Sequence, residues 1–130
     1  NVIVSISVNI AGHVEVDDYA IIGGCTPVHQ FCKIGQHAFI GGGRVILQDV
    51  PPYVLATGEP LKYAGINSVG LRRKNFDLEK RKTIKKAYSL IYQSDLNLTQ
   101  AVEKIKKDFY ASNEIKIILD FIEKSDRGLI

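Results

Sequence analysis

The sequence predicts a parallel β-helix of hexapeptide repeats followed by a small α-helical C-terminal domain, and three observations carry that prediction. Every sixth residue from Val4 to Ile46 is a β-branched aliphatic: Val4, Ile10, Val16, Ile22, Val28, Ile34, Ile40 and Ile46. An amphipathic helix brings apolar residues back every three or four positions and a plain strand every two, so a sustained period of six belongs to neither. It belongs to short strands joined by tight turns, with one inward aliphatic per strand. From about Asp77 the spacing of apolar residues becomes helical. The charge divides as well: residues 1–65 hold three basic and five acidic side chains, residues 66–130 fourteen and nine.

The hexads run from about residue 2 to Gln48. Three hexads to a turn place Val4, Ile22 and Ile40 in one inward column, Ile10, Val28 and Ile46 in a second, and Val16 and Ile34 in a third. Glycines at 23, 24, 35, 41, 42 and 43 fall beside these aliphatics, where a small residue lets the chain turn a corner. Asp49-Val-Pro-Pro-Tyr-Val is expected to stop the coil, because consecutive prolines cannot donate to a sheet ladder. Residues 1–65 therefore read as coil plus exit loop and residues 66–130 as the helical domain. Asp77 caps a first helix over Leu78–Gln93, with Ile84, Ala87, Tyr88, Ile91 and Tyr92 along its apolar stripe. Asn97 or Thr99 caps a second, carrying Val102, Ile105 and Phe109. Asn113 caps a third, with Ile115, Ile118, Leu119 and Ile122 inward, ending before Arg127-Gly128.

Composition narrows the class. With 45% apolar and 24% charged residues and no apolar run near the ~20 residues that span a bilayer, the sequence reads as a soluble cytoplasmic protein. The first residues lack the basic segment and cleavage site of a secretory signal. The chain contains no methionine and enters in mid-pattern with Val2 and Val4 already in register, so it is expected to be the C-terminal part of a longer protein. Fewer than three turns of coil supply little stacking energy, which asks for a longer coil, a trimer, or both. Cys25 and Cys32 read as small buried or half-buried residues of a reducing compartment rather than a disulfide or zinc pair.

Arg72, Arg73, Lys74, Lys80, Arg81, Lys82, Lys85 and Lys86 face only Asp77 and Glu79 in sequence, a cluster suited to phosphate or an acidic protein. Arg72-Arg73-Lys74 is expected in a loop ahead of a helix, a favourable place for anion binding. The cluster lacks the interleaved aromatics of a single-stranded nucleic-acid site. His13, His29 and His37, separated by sixteen and eight positions, do not have the spacing of a zinc set, and His37 reads as an exposed turn residue. Asp17 and Asp18 read as turn residues, since neighbours on a strand point to opposite faces.

Four segments go further than the period. Ala11-Gly-His-Val-Glu-Val-Asp-Asp-Tyr-Ala-Ile-Ile-Gly-Gly, Val28-His-Gln-Phe-Cys-Lys-Ile-Gly, Gln48-Asp-Val-Pro-Pro-Tyr-Val and Gly70-Leu-Arg-Arg-Lys-Asn-Phe closely resemble stretches of one hexapeptide acyltransferase family. That family comprises the acyl-(acyl-carrier-protein)–UDP-N-acetylglucosamine O-acyltransferases that open lipid A synthesis, and the likeness runs on to the terminal Arg127-Gly-Leu-Ile. The resemblance implies a homotrimer of left-handed parallel β-helices, each with a helical C-terminal domain, and active sites in clefts between neighbours. It implies transfer of a 3-hydroxyacyl chain from acyl carrier protein to UDP-N-acetylglucosamine or its amino analogue. No bound cofactor, metal, nucleic acid or membrane span is implied; the donor carries its own phosphopantetheine. The family's general-base histidine would lie before Asn1, so this chain alone is expected to be inactive.

By the same resemblance, the backbone N–H of Gly12 stabilises the oxyanion of thioester addition, a role that needs geometry and no side chain. His13, His29 and Gln30 match substrate-contacting positions, Asn67 a nucleotide-contacting one, and Arg73 and Lys74 a basic pair that meets phosphate. Gly42 matches the position that sets acyl length. The sequence has Pro60 where the family often has histidine and Val69 where it often has a carboxylate. The alternative from another class is a non-catalytic hexapeptide assembly or binding module.

Overall fold

A period of six resolves into strands of two and corners of four. The computed structural model of the chain describes residues 1–130. Seven two-residue strands come first: β1 (Ile3–Val4), β2 (Asn9–Ile10), β3 (Glu15–Val16), β4 (Ile21–Ile22), β5 (Pro27–Val28), β6 (Lys33–Ile34) and β7 (Phe39–Ile40). The first four each pair in parallel with the strand three later, giving β1–β4–β7, β2–β5 and β3–β6. Val4, Ile22 and Ile40 therefore stack in register, Val28 bridges Ile10 and Ile46, and Val16 pairs with Ile34. The columns are those that the hexad predicts. Their burial is not uniform: Ile22, Val28, Ile34, Ile40 and Ile46 are buried, Val16 is half-buried, and Val4 and Ile10 are exposed.

The corners correct the reading of the glycines. The residue that adopts a left-handed backbone is the third after each inward aliphatic, at Ser7, His13, Tyr19, Cys25, Phe31 and His37, with φ between 57° and 65°, and at Gly43 with φ 72°. An L-residue there costs roughly 1–2 kcal/mol. From Tyr19 onward each is held by a ladder bond to the preceding coil, as in Cys25 N–H to Ile6 O at 3.0 Å, Phe31 N–H to Gly12 O at 3.2 Å and His37 N–H to Asp18 O at 3.0 Å. Gly23 and Gly35 serve a different end. A Cβ on Gly23 would stand 2.4 Å from the Gly42 nitrogen, and one on Gly35 2.4 Å from the Pro52 nitrogen. They let successive coils approach, and the turn itself is made by side-chain-bearing residues.

The coil also runs further than Gln48. Val50 bridges Ile34, and β8 (Val54–Thr57) pairs in parallel with β7, setting Ala56 on Ile40. Pro51 occupies the place that Gly35 holds one turn earlier, where the N–H donates forward to the next coil at Val50 O. Proline there removes the forward donor, so the prolines end the ladder from inside its last turn. That turn is two residues short, sixteen rather than eighteen between paired positions. The buried Asp49 fills the gap: Oδ1 accepts from Lys33 N–H at 2.7 Å and Oδ2 from the Ser125 hydroxyl at 2.5 Å.

Strand β9 (Lys62–Ile66) returns antiparallel to β8 and leads into α1 (Ser68–Arg73), α2 (Leu78–Tyr92), α3 (Leu98–Phe109) and α4 (Asn113–Lys124). Asp77 caps α2 through Lys80 N–H, and Asn97 caps α3 in a reciprocal box with Gln100. Ser112, not Asn113, caps α4; its hydroxyl accepts from Ile115 N–H, and Asn113 is the first helical residue. Arg72 and Arg73 lie within α1 and Lys74 is its C-cap, so the basic triplet is helical rather than looped. α2 packs on β9, α3 and α4. Ile84, Ala87, Tyr88, Ile105, Ile115 and Ile118 bury into one core continuous with the coil, and Phe121 adds a buried ring the helical reading omitted. Tyr88 anchors the join, its hydroxyl donating to Pro52 O at 2.5 Å. Cys32 is buried and Cys25 exposed. No helix is long and apolar enough to cross a membrane.

Candidate functional site

The triangular coil has three rows of corners, and the residues singled out from sequence fall on all of them. One row holds Ala11–Val14 above His29–Cys32. The left-handed backbone at His13 and Phe31 splays both side chains outward, and their rings stack at 5.0 Å and 3°. His29 and Gln30 are exposed on the same row, where Asn9, Ile10, Ala11, Pro27, Val28 and Val45 complete a groove of about 430 Å³. His29 Nδ1 lies 3.4 Å from the Gln30 carbonyl.

The Gly12 N–H makes no hydrogen bond within the chain, while its carbonyl accepts from Phe31. This is general to the coil: the N–H groups of Ile6, Gly12, Asp18, Gly24, Gln30, Gln36 and Gly42, each two places after an inward aliphatic, are all unpaired. Every corner thus presents one free donor. At Gly12 a Cβ would meet nothing within 4 Å, and His13, His29 and Gln30, on the same row of corners, are exposed groups able to hydrogen-bond a polar ligand.

Gly42 lies on a second row. A Cβ there would stand 2.8 Å from Gly24 O, so close packing of the two coils already requires glycine at this position. The third row stacks Tyr19, His37 and Tyr53, and α1 docks against it. Asn67 caps α1 by accepting from Gly70 N–H, and its Nδ2 donates to His37 O at 3.0 Å. Both ends of its carboxamide are thereby engaged in holding α1 to the coil. Arg73 and Lys74 are exposed and free of acidic partners, and Lys74 Nζ rides 4.8 Å above the Tyr19 ring.

His37 is not the exposed turn residue the sequence suggests. It is 6% exposed because Phe76 closes over it edge-on at 5.0 Å. Burial pushes its pKa down, the Lys74 charge pushes the same way, and Asp18 opposes both. Sequence reasoning also passed over Tyr19, Phe31 and Tyr53, the stacking partners of the two corner histidines. The signal was present: aromatic residues recur at the third place after the aliphatic, the left-handed position. No three His, Cys, Asp or Glu side chains converge to hold a metal.

This architecture defines a hexapeptide-repeat β-helix protein with a helical cap. Residues 49–130 match the family model described as UDP N-acetylglucosamine O-acyltransferase, domain 2. The whole chain is 44% identical to the acyl-(acyl-carrier-protein)–UDP-N-acetylglucosamine O-acyltransferase of Aliivibrio salmonicida, and 94% of it is 40% identical to that of Thiobacillus denitrificans. Among solved structures, the UDP-N-acetylglucosamine acyltransferase of Bacteroides fragilis superposes with a TM-score of 0.97 at 45% identity over 99% of this chain and 51% of its own. That of Acinetobacter baumannii superposes with a TM-score of 0.94 at 40% identity, over 99% of this chain and 50% of its own. The chain belongs to the UDP-N-acetylglucosamine O-acyltransferase family. It spans about half the length of the curated relatives it matches.

Proposed function

We propose that this chain works as the C-terminal half of an acyltransferase that moves a 3-hydroxyacyl group from acyl carrier protein to UDP-N-acetylglucosamine or its amino analogue, opening lipid A synthesis in the cytoplasm. The observation that carries the reading is the unpaired Gly12 N–H beside His13 on the row of corners that also bears His29 and Gln30. In the reaction, the sugar hydroxyl attacks the thioester carbonyl; a C–O bond forms, the carbonyl electrons move onto oxygen, and the Gly12 N–H donates to that oxyanion. Collapse breaks the C–S bond, and the proton taken from the hydroxyl by an upstream histidine ends on the departing thiol. His13, His29 and Gln30 orient the reactants, and Asn67, Arg73 and Lys74 meet the nucleotide. Gly42 leaves the acyl groove open.

These groups occupy three different rows of one coil, and no single-chain cavity gathers them. A homotrimer of left-handed coils, with the corner of one chain facing its neighbour, accounts for their cooperation. The division at residues 65 and 66 into coil with exit segment and helical domain belongs to the same proposal. The basic cap suits an acidic carrier protein: Arg72, Arg73, Lys74, Lys82, Lys85 and Lys86 make no ion pair.

Two measurements test the reading. The 130-residue chain should show no acyl transfer alone and gain it when joined to the N-terminal half of the Aliivibrio relative; full activity of the isolated chain refutes the upstream base. In the full-length enzyme, Arg73→Ala should weaken use of the UDP-sugar about tenfold to hundredfold. Lys107→Ala, an exposed charge in the last turn of α3, is the control. Equal small effects at the two positions mean that the cluster is only solvated surface.

A further inference from the structure

The third row of corners carries a feature that the acyl-transfer reading does not use. Tyr19, His37 and Tyr53 form a column with one ring per coil, at 4.9 Å between the first two and 5.8 Å between the second two. Phe76, just beyond α1, packs edge-on against both His37 and Tyr53. Besides the buried Leu71, which anchors α1 in the core, the polar and aromatic attachments of the α1 segment fall on this column. Asn67 reaches the His37 carbonyl with its side chain and the Tyr53 carbonyl with its backbone N–H at 2.7 Å. Lys74 lies over Tyr19. Phe76 lies against the imidazole itself.

We infer that His37 is a positioning residue for the nucleotide: packed between Tyr19 and Tyr53 and capped by Phe76, it fixes where α1 holds Arg73 and Lys74 against the diphosphate, without touching substrate. This rests on the acyltransferase reading and adds a residue to it. The middle ring sets the spacing of the column, so removing it frees Tyr19, and with it Lys74, to move relative to the coil. A planar ring of the same thickness restores the spacing. Charge on the ring has the opposite consequence, since an imidazolium would sit beside the Lys74 ammonium in a half-desolvated stack. The other groups facing the column are the Asp18 carboxylate one coil earlier, the Tyr19 and Tyr53 hydroxyls, and Glu114 of α4, whose charge reaches Tyr53.

The test compares wild type, His37→Ala and His37→Phe in the full-length enzyme, with steady-state kinetics in each substrate. His37→Ala should raise KM for the UDP-sugar about tenfold, with kcat and the KM of the acylated carrier protein within about twofold. His37→Phe should match wild type at about pH 8, and should lack the rise in nucleotide KM expected of wild type as the solution is acidified below about pH 6. Equal changes in both KM values, or one shared pH profile for wild type and His37→Phe, overturn the inference; the pH comparison decides it even if His37→Ala fails to fold. Failure of wild type to use the UDP-sugar overturns the functional reading and this one together. Normal wild-type turnover with an unaffected His37→Ala overturns only the positioning role.

Discussion

Two rows of corners in this coil are built on one plan and put to opposite use. At each, a histidine sits in a left-handed backbone with φ 58° and stacks on an aromatic ring of a neighbouring coil. His13 is exposed; His37 is sealed by Phe76 and crowded by Lys74. The local geometry is the same, so local sequence does not separate them. What separates them is a segment more than thirty residues downstream, α1, which lies on one row and leaves the other bare. An open corner leaves its histidine and its free N–H exposed to solvent, whereas a covered corner turns the same residue type into packing.

The comparison breaks most severely at a glycine of the covered row. Gly35→Ala forces a Cβ to within 2.4 Å of the Pro52 nitrogen, and since the Cβ has no rotamer to escape by and the nitrogen is backbone, we expect a loss of about 3 kcal/mol in chemical unfolding. A loss below about 0.5 kcal/mol would show that the last coil is loosely docked. At the open row, His13→Ala should cut acyl transfer about tenfold to hundredfold while shifting stability by no more than about 0.5 kcal/mol. Stability and activity falling together would place His13 with His37 as a structural residue.

The inward columns were fully legible, because burial on one face of a two-residue strand leaves an unambiguous period. The helix caps Asp77 and Asn97 were legible for a similar reason: a carboxylate or carboxamide accepting from the first turn is a local event. The left-handed corner positions were hidden because the pattern points first to glycine, and here the glycines at 23 and 35 answer to contact between coils instead. The continuation through Val50 and Ala56 was hidden because a two-residue deletion breaks the hexad count, and Asp49 repairs it with side-chain oxygens that no period reveals. His37 escaped for the reason already given: what buries it is distant in sequence. The site residues were named by likeness to a family, because a free corner N–H like that of Gly12 recurs along the coil and singles out no one corner.

A middle-sized effect tests how firmly the cap covers its row. Tyr88 is fully buried, its hydroxyl donates to Pro52 O, and burial holds its pKa well above the ordinary value. Tyr88→Phe keeps the ring but leaves the Pro52 carbonyl without that donor, which should cost about 1–2 kcal/mol of stability. No measurable loss would mean that water replaces the hydroxyl, and that α2 sits on the coil by apolar contact alone.

The smallest expected effect separates the two rows by pH. Burial lowers the pKa of His37 from its ordinary 6.5, Lys74 adds to the lowering, and Asp18 works against it. The unfolded chain, with an ordinary histidine, therefore binds more protons than the folded chain between the two values. The sign follows: the stability His37 contributes is whole above about pH 6.5 and is lost as pH falls through the lower folded value. Carboxylates titrate in the lower part of this range, so the informative quantity is the difference between wild type and His37→Phe measured side by side. That difference should stay constant from about pH 8 to 7 and then move in favour of His37→Phe as the solution is acidified below about pH 6.5. A difference that stays flat to about pH 5 would mean that the folded chain protonates the ring as readily as the unfolded one does. The covered corner would then be as open to solvent as the corner that carries His13.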